Sequence, residues 1–230
     1  MDTRITIAID GFSSTGKSTL AKQLAKHLGY AYVDTGAMYR AVTYYAMQKG
    51  FIAPGHFDKE ALIAALPDVS LKFVFNQDLG FAEMHLNGEN VERQIRTLEV
   101  SNLVSRVAEV SQVRAKLVEQ QQHMGDHKGV VMDGRDIGTV VFPDAELKLY
   151  MTASAETRAQ RRYEELLEKG QQVSYDEVYK NVVERDAIDT GRADSPLVKA
   201  QDAIEIDNSH LTIQQQFDKV LALVHQAAQL

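Results

Sequence analysis

The sequence has no cysteine, no long apolar run and no block of like charges, and each absence removes a class of protein. Without cysteine there is no disulfide framework, no cysteine-ligated zinc and no thiol nucleophile. No apolar stretch approaches the roughly 20 residues that a membrane-spanning helix requires. No run of six like charges occurs, which argues against a disordered tail or a polybasic membrane anchor.

Basic residues are fewer than acidic ones. The chain has 25 Lys and Arg against 32 Asp and Glu, a formal net charge of -7. Proteins that neutralise a nucleic-acid backbone usually carry a basic surface, so no nucleic-acid partner is expected. An anionic ligand of this chain would be small and held by a few placed arginines and lysines.

The remaining composition is typical of a globular protein. The 230 residues are 44% hydrophobic, which is enough to bury a substantial core, and no linker-like segment divides them. A single domain covering residues 1–230 is therefore expected. Met1 to Arg4 and the short apolar run that Asp10 breaks lack the features of a signal peptide. We expect a cytoplasmic protein with no membrane partner.

Short apolar segments alternate with helical patterns along most of the chain. Strands are predicted at residues 5–10, 30–34, 130–133, 146–151 and 203–207. Leucines spaced four apart indicate a helix over residues 17–28, and a second helix is predicted over residues 37–49. This alternation predicts an α/β fold in which helices flank a five-stranded parallel sheet.

One region departs from the alternation. Residues 69–75 and 81–86 have strand-like patterns, and Asn87-Gly88 is a strong signal for a tight turn. We therefore predict a small antiparallel β insert within residues 69–91. Two later helix starts are marked by capping boxes, at Ser174 with Glu177 and at Thr212 with Gln215.

Residues 11–18 fit the phosphate-binding pattern G-x-x-x-x-G-K-[ST], between a predicted strand and a predicted helix. Backbone N–H groups of such a loop converge on phosphates, and the helix N-terminus adds partial positive charge. Lys17 would reach the β- and γ-phosphates of ATP, and Ser18 would ligate Mg²⁺, with Asp133 steadying the metal's outer shell. The predicted ATP-binding residues are Gly11, Ser13, Ser14, Thr15, Gly16, Lys17, Ser18 and Thr19.

Alternatives to this interpretation are structural. The Gly/Ser segment could be a turn that only joins a strand to a helix, although the motif and its context agree. Asp133, taken alone, could equally be a helix cap or a solvated turn residue.

Arginines are frequent near predicted loops and helix ends. Phosphoryl transfer needs positioning and positive charge, both of which guanidinium groups supply. An acceptor that is itself a phosphate monoester is largely ionised at pH 7, so no strong general base is required. Taken singly, any arginine could be solvated; Arg158, Arg161 and Arg162 share one helix face with nearby glutamates and could form surface ion pairs. These patterns indicate a phosphotransferase with an anionic acceptor.

Three segments resemble the bacterial cytidylate kinase family, and the resemblance runs from about Ile5 to the last helix. They are residues 34–40 (DTGAMYR), residues 133–143 (DGRDIGTVVFP), and Glu184-Arg185-Asp186 with Asp189 and Arg192. The β insert also resembles the enlarged monophosphate-binding region of the bacterial enzymes. Phe12 departs from the family pattern, which usually has proline after the first glycine of the phosphate-binding loop.

The resemblance implies transfer of the γ-phosphoryl group of ATP to CMP or dCMP, in pyrimidine nucleotide salvage, with Mg²⁺. It implies that Thr35, Arg40 and Arg135 hold the acceptor phosphate, that Ser105, Arg114 and Asp136 recognise cytosine, and that Asp189 and Arg192 face the ribose. Arg158, Arg162 and Arg185 would act with Lys17 on the transferring phosphoryl group. It further implies a monophosphate-binding region at residues 36–110, a helical lid at residues 155–173, and activity as a monomer.

Other functions remain compatible with the motifs. A P-loop kinase could use UMP, AMP or a non-nucleotide metabolite as its acceptor. A regulatory switch would hydrolyse nucleotide slowly and depend on a partner. An interaction protein with a vestigial loop would be expected to have lost Lys17 or Ser18, and both are present.

Overall fold

A computed structural model describes residues 4–228 of the chain. The first three residues, which entered the signal-peptide argument, and the last two lie outside the described part. The strands are β1 Thr6–Gly11, β2 Ala31–Asp34, β3 Ile52–Ala53, β4 His56–Phe57, β5 Leu71–Asn76, β6 Phe81–Leu86, β7 Glu89–Asn90, β8 Val130–Gly134, β9 Leu147–Thr152 and β10 Ile204–Asp207. The helices are α1 Lys17–Leu28, α2 Thr35–Gln48, α3 Lys59–Ala65, α4 Leu98–Ala108, α5 Ser111–Met124, α6 Ala155–Glu168, α7 Tyr175–Gly191 and α8 Ile213–Ala227.

The main sheet has five parallel strands in the order β10-β9-β1-β8-β2. These are the five strands that the sequence predicts, and the parallel arrangement is confirmed. Because all five run in one direction, the loops that follow β1, β2 and β8 meet at the same edge. The register pairs Ile9 with Asp133 and Asp34 with Asp133, which brings the ends of these three strands side by side.

Helices cover both faces of this sheet, and β1 shows why. Ile7 and Ile9 point to one face and pack with Leu20 and Leu24 of α1, while Ala8 belongs to a separate cluster on the other face. Successive residues of a strand point to opposite faces, so a continuously apolar strand is expected when both faces are covered. The phosphate-binding motif thus follows a fully buried strand.

The predicted antiparallel insert is also confirmed. β5, β6 and β7 form a three-stranded antiparallel sheet. Asn87 and Gly88 form the two-residue turn between β6 and β7, both with positive φ, as a tight hairpin turn requires. Both capping boxes are present, at the starts of α7 and α8.

Helix α2 begins two residues earlier than the pattern predicts. The side chain of Asp34 accepts a hydrogen bond from the backbone N–H of Ala37, so Asp34 is the N-cap and Thr35 is the first helical residue. Thr35 is thereby placed directly at the sheet edge. Within residues 4–228, no helix has the length and hydropathy needed to cross a lipid bilayer.

Candidate active site

The phosphate-binding loop is held by backbone contacts that admit few substitutions. Gly11 has φ 144°, and a Cβ placed on it would overlap the carbonyl oxygen of Met151 on β9. Lys17 is buried, and its Nζ donates hydrogen bonds to the carbonyl oxygens of Gly11 at 2.9 Å and Phe12 at 2.5 Å. Burial lowers the pKa of Lys17 to about 7, and the positive charge of nearby Arg135 is the second cause. The negative charge of a bound polyphosphate would raise this pKa and favour the protonated form of Lys17.

A large cleft opens beside the loop. Six of the predicted ATP-binding residues line it, namely Ser13, Ser14, Gly16, Lys17, Ser18 and Thr19. Gly11 and Thr15 lie beneath them: Gly11 packs on β9, and the buried hydroxyl of Thr15 donates to the carbonyl of Phe12 at 3.0 Å. These two residues therefore shape the loop, while the other six face the cleft.

Ser18 and Asp133 are brought together at the floor of the cleft. The hydroxyl of Ser18 donates to Oδ2 of Asp133 at 3.0 Å, and the hydroxyl of Tyr32 donates to Oδ1 at 2.9 Å. Burial, with Asp34 nearby, raises the pKa of Asp133 to about 6. This buried carboxylate is therefore neither a helix cap nor a solvated turn residue.

The Ser18 and Asp133 pair fits Mg²⁺ bound together with phosphates. Within residues 4–228, no cluster of three or more His, Asp or Glu side chains could hold a metal ion without other ligands. Mg²⁺ in nucleotide sites usually keeps several waters and takes one or two protein oxygens besides substrate phosphates. A hydroxyl and a carboxylate at the phosphate-binding loop match that requirement.

A second, smaller cavity adjoins the cleft and collects every residue that the resemblance assigns to CMP. Its lining includes Thr35, Arg40, Ser105, Arg114, Arg135, Asp136, Asp189 and Arg192. These side chains come from α2, α4, α5, α7 and the segments that follow β8 and α7. Ser105 and Arg114, which lie outside the three segments that carry the family resemblance, belong to the same group.

One buried polar contact in this cavity joins Arg114 to Asp136. The two side chains form a salt bridge and are only 2% and 3% exposed as residues. Arg114 also donates to the carbonyl of Ala108 at 3.3 Å. A carboxylate beside a guanidinium presents an acceptor next to donors, a pattern that can pair with a polar heterocycle.

Asp189 connects two other parts of the cavity. Its Oδ1 accepts from the hydroxyl of Ser105 at 2.9 Å, and its Oδ2 accepts from Nε of Arg135 at 2.9 Å. Burial alone would raise the pKa of Asp189, but Arg135 and Arg185 outweigh burial and lower it. Asp189 is thus held ionised between α4 and the loop after β8.

The cavity and the cleft meet at a cluster of arginines. Arg40, Arg135 and Arg185 line both. Burial, followed by the charges of Arg185 and Arg162, lowers the pKa of Arg40 well below its ordinary value. Nε of Arg185 is buried and has no hydrogen-bond partner among the described residues. Neighbouring cations of which Arg40 is buried and Arg135 and Arg185 are half-buried form a binding place for an anion such as a phosphate group.

The arginines of α6 are mostly not surface residues. Arg158 is 4% exposed and donates two hydrogen bonds to Asp186, at 3.0 and 2.6 Å. Arg162 is also buried, pairs with Glu165 and donates to the carbonyl of Arg96 at 3.1 Å. The alternative of a solvated ion-pair face is therefore wrong for Arg158 and Arg162.

Known proteins similar to this chain share nearly its whole length. The family model for cytidylate kinase matches residues 7–226. A cytidylate kinase of Flavobacterium johnsoniae is 72% identical over 227 residues, 99% of both chains, and one of Phocaeicola vulgatus is 58% identical over 213 residues, 93% of both. The chain belongs to the cytidylate kinase family.

A solved structure similar to this one supports the fold alone. A gluconokinase from Sinorhizobium meliloti superposes with a TM-score of 0.51 at 11% identity, covering 100% of this chain and 96% of that one. The match to the family model and the two cytidylate kinases confirm the family resemblance drawn from residues 34–40, 133–143 and 184–192. The roles of individual residues in the cytidylate kinase site remain predictions.

Several residues beside the cytidylate kinase site were not singled out from the sequence. Tyr39 lines the smaller cavity, with the guanidinium carbon of Arg114 5.5 Å from its ring centre, and its buried hydroxyl has no partner in the described part of the chain. Asp186 anchors Arg158. Arg96 pairs with Asp34 at 2.7 Å. Tyr39 and Asp186 lie inside the segments that carry the family resemblance, so their motif membership was the available signal.

Proposed function

We propose that this member of the cytidylate kinase family transfers the γ-phosphoryl group of ATP to CMP or dCMP, giving ADP and CDP or dCDP. The observation that carries the proposal is the convergence of eight side chains from distant parts of the sequence on one cavity. That cavity joins the phosphate-binding cleft through Arg40, Arg135 and Arg185. An acceptor phosphate held there would face the γ-phosphate of ATP.

Cytosine recognition is assigned to Asp136, Arg114 and Ser105. Cytosine offers an amino donor at N4 and acceptors at N3 and O2, so a carboxylate beside a guanidinium complements it. Uracil has a carbonyl in place of the amino group and would set two acceptors face to face. A buried polar group left unpaired by the wrong base can produce discrimination of roughly 10⁴-fold in favourable cases.

The acceptor phosphate is assigned to Thr35, Arg40 and Arg135, and the ribose to Asp189 and Arg192. The lowered pKa of Arg40 supports this, because a phosphate dianion would offset the repulsion between Arg40 and the neighbouring arginines. The acceptor oxygen needs no strong base, since a phosphate monoester is largely ionised at pH 7. Positioning and charge stabilisation then account for catalysis.

Lys17, Arg158, Arg162 and Arg185 are assigned to the transferring phosphoryl group, and residues 155–173 to a lid. Arg162 supports this assignment, because it lies on α6, lines the phosphate-binding cleft and donates a hydrogen bond to the carbonyl of Arg96. Closure of the lid over both substrates would exclude water, which otherwise hydrolyses ATP. The monophosphate-binding region is assigned to residues 36–110.

The metal is assigned as Mg²⁺, with Ser18 as ligand and Asp133 in the outer shell. When bound, Mg²⁺ neutralises charge on the β- and γ-phosphates. Ser18 and Asp133 would orient it, since their side chains are already in contact at 3.0 Å. Chelation with EDTA is expected to abolish turnover, and excess Mg²⁺ to restore it.

We further propose that the enzyme acts as a monomer in the cytoplasm, on small-molecule substrates only. All of the assigned residues belong to one chain, so no second copy is needed to complete the site. Light scattering during size-exclusion chromatography, with and without substrates, measures the oligomeric state. A stable dimer would contradict the monomer assignment without affecting the reaction.

The reaction is tested by ADP production from Mg-ATP with CMP, dCMP, UMP, AMP, GMP and shikimate added separately. Strong stimulation by CMP and dCMP alone is the expected result. Stimulation by a different acceptor would keep a kinase but discard the base-recognition assignment. Slow ADP production that no acceptor stimulates would favour a regulatory switch.

A further inference from the structure

A buried carboxylate on β1 holds the first turn of the segment Ile137–Val141, which is a short π-helix. Asp10 is 4% exposed, and its Oδ1 and Oδ2 accept hydrogen bonds at 2.7 Å from the backbone N–H groups of Ile137 and Gly138. The first N–H groups of a helical turn have no acceptor within the turn itself. Asp10 therefore caps this turn from a neighbouring strand.

The residue that would ordinarily cap this turn is engaged elsewhere. Asp136 occupies the N-cap position, and aspartate is among the residues favoured there. Its side chain nevertheless makes no capping hydrogen bond and instead pairs with Arg114 in the cavity. One carboxylate cannot fill both places, so capping by Asp10 leaves Asp136 available to the cavity.

The backbone of Asp10 also lies beside the loop that joins β8 to this π-helix. In the register of β1 and β8, Asp10 lies opposite Gly134, and its side chain reaches Ile137 and Gly138. Arg135 and Asp136 stand between these two attachments. The loop that carries both side chains is thereby fixed on either side by one residue.

Keeping a carboxylate at this position is costly. Burial raises the pKa of Asp10 to about 7, although the N–H groups of Gly138 and Ile137 lower it in part. An apolar residue would avoid this penalty but would leave the N–H groups of Ile137 and Gly138 without their acceptor.

We propose that Asp10 is a positioning residue for acceptor selectivity, which keeps Arg135 and Asp136 aimed into the smaller cavity by capping the turn that follows them. The inference rests on the proposed function and deepens it. Without Asp10, the side chain of Asp136 could cap its own turn. Arg114 would then lose its buried partner.

The first test is Asp10→Asn, which is nearly isosteric but replaces one acceptor oxygen with an NH₂ group facing a backbone N–H. We expect the KM for CMP to rise about tenfold, as loss of one buried hydrogen bond implies. The KM for ATP is expected to change by less than about twofold, because the change acts on the acceptor loop. The CMP over UMP ratio of kcat/KM is expected to fall. Ile7→Val, a core change on the same strand, is the control for general destabilisation and should leave the ratio unchanged.

A double-mutant cycle with Asp136→Ala separates positioning from structure. If Asp10 acts through Asp136, then Asp10→Asn lowers selectivity in the wild-type background and adds little in the Asp136→Ala background. Additive losses would overturn the proposal, as would an equal rise in both KM values or the same loss in Ile7→Val. If Asp10→Asn does not fold, the cycle is repeated with Asp10→Glu, which keeps two acceptor oxygens; failure of both variants to fold would mark Asp10 as purely structural. Wild-type turnover with CMP is measured in parallel. Absence of this turnover would contradict the proposed function, whereas normal wild-type turnover with unchanged selectivity in Asp10→Asn would contradict only the role of Asp10.

Discussion

The hydroxyl of Ser18 lies 3.0 Å from Oδ2 of Asp133, although 115 residues separate the two in the sequence. Ser18 is in the first turn of α1, and Asp133 is near the end of β8. Pairing of β1 with β8 brings them together, because both loops leave the same edge of the sheet. The contact joins the two halves of the proposed Mg-ATP site.

Replacing Lys17 with alanine is expected to abolish turnover. The ammonium group is buried among the carbonyl oxygens of Gly11 and Phe12, where its charge is aimed at the phosphate cradle. Loss of one such group should lower kcat by about 100-fold or more. ADP production with CMP measures the effect, and circular dichroism checks the fold. Lys26→Ala, on the exposed side of α1, is the control and should retain activity. Near wild-type kcat in Lys17→Ala would refute the ATP-site assignment.

Replacing Asp136 with alanine is expected to lower the preference for CMP over UMP more than it weakens ATP binding. The change leaves Arg114 without its buried partner and removes the acceptor assigned to the N4 amino group. A tenfold or greater fall in the CMP over UMP ratio of kcat/KM is the expected size, corresponding to about 1.4 kcal/mol or more. Asp144→Ala, an exposed carboxylate beyond the same segment, is the comparison variant. Unchanged selectivity would show that the base is recognised elsewhere.

Replacing Gly11 with alanine is expected to destabilise the protein by about 3 kcal/mol, since backbone strain and overpacking act together. Its φ of 144° disfavours any side chain, and an added Cβ would overlap the carbonyl of Met151. Gly29→Ala is the matched control, because φ there is 67° and nothing lies within 4 Å of an added Cβ. That change should cost about 1 kcal/mol, because only the left-handed backbone conformation opposes it. Chemical denaturation measures both, and equal costs would contradict the close approach of Gly11 to β9.

Replacing Glu165 with glutamine is expected to reduce the dependence of stability on acid pH. Burial alone would raise the pKa of Glu165, but Arg162 and Lys169 outweigh it and lower the pKa to about 2 from 4.5. Because the folded pKa lies below the unfolded one, the carboxylate stabilises the protein above pH 4.5 and loses this contribution as pH falls toward about 2. Wild type and variant should differ in stability near neutral pH and converge in acid.

Denaturation curves at several pH values measure the Glu165 effect. Glu164→Gln, an exposed neighbour on α6 that accepts a hydrogen bond from Gln160, is the control. A difference between wild type and Glu165→Gln that stays constant from neutral to acid pH would contradict the lowered pKa. The KM for ATP of Glu165→Gln and Glu164→Gln can be compared as well. If Glu165 holds Arg162 in place before substrates bind, only Glu165→Gln should change this KM.

Local patterns in the sequence determined much of the fold and part of the site. Alternating apolar segments located the five parallel strands, and Asn87-Gly88 located a hairpin turn, because both depend on neighbours along the chain. The start of α2 was misplaced by two residues, because the capping hydrogen bond of Asp34 is a local alternative that hydrophobic spacing does not reveal. The family resemblance supplied the residues assigned to CMP.

Contacts between distant segments were decided only by the tertiary structure. Arg158 and Arg162 have the spacing of a solvated helix face, yet packing of α6 against the rest of the chain buries them. Asp10 looked like an interruption of an apolar strand, and only the fold places its carboxylate on Ile137 and Gly138. The sequence by itself determined which groups can bind phosphate and base. The pairing of strands far apart in the chain decided which of those groups face one another, since such pairing depends on packing that no local pattern records.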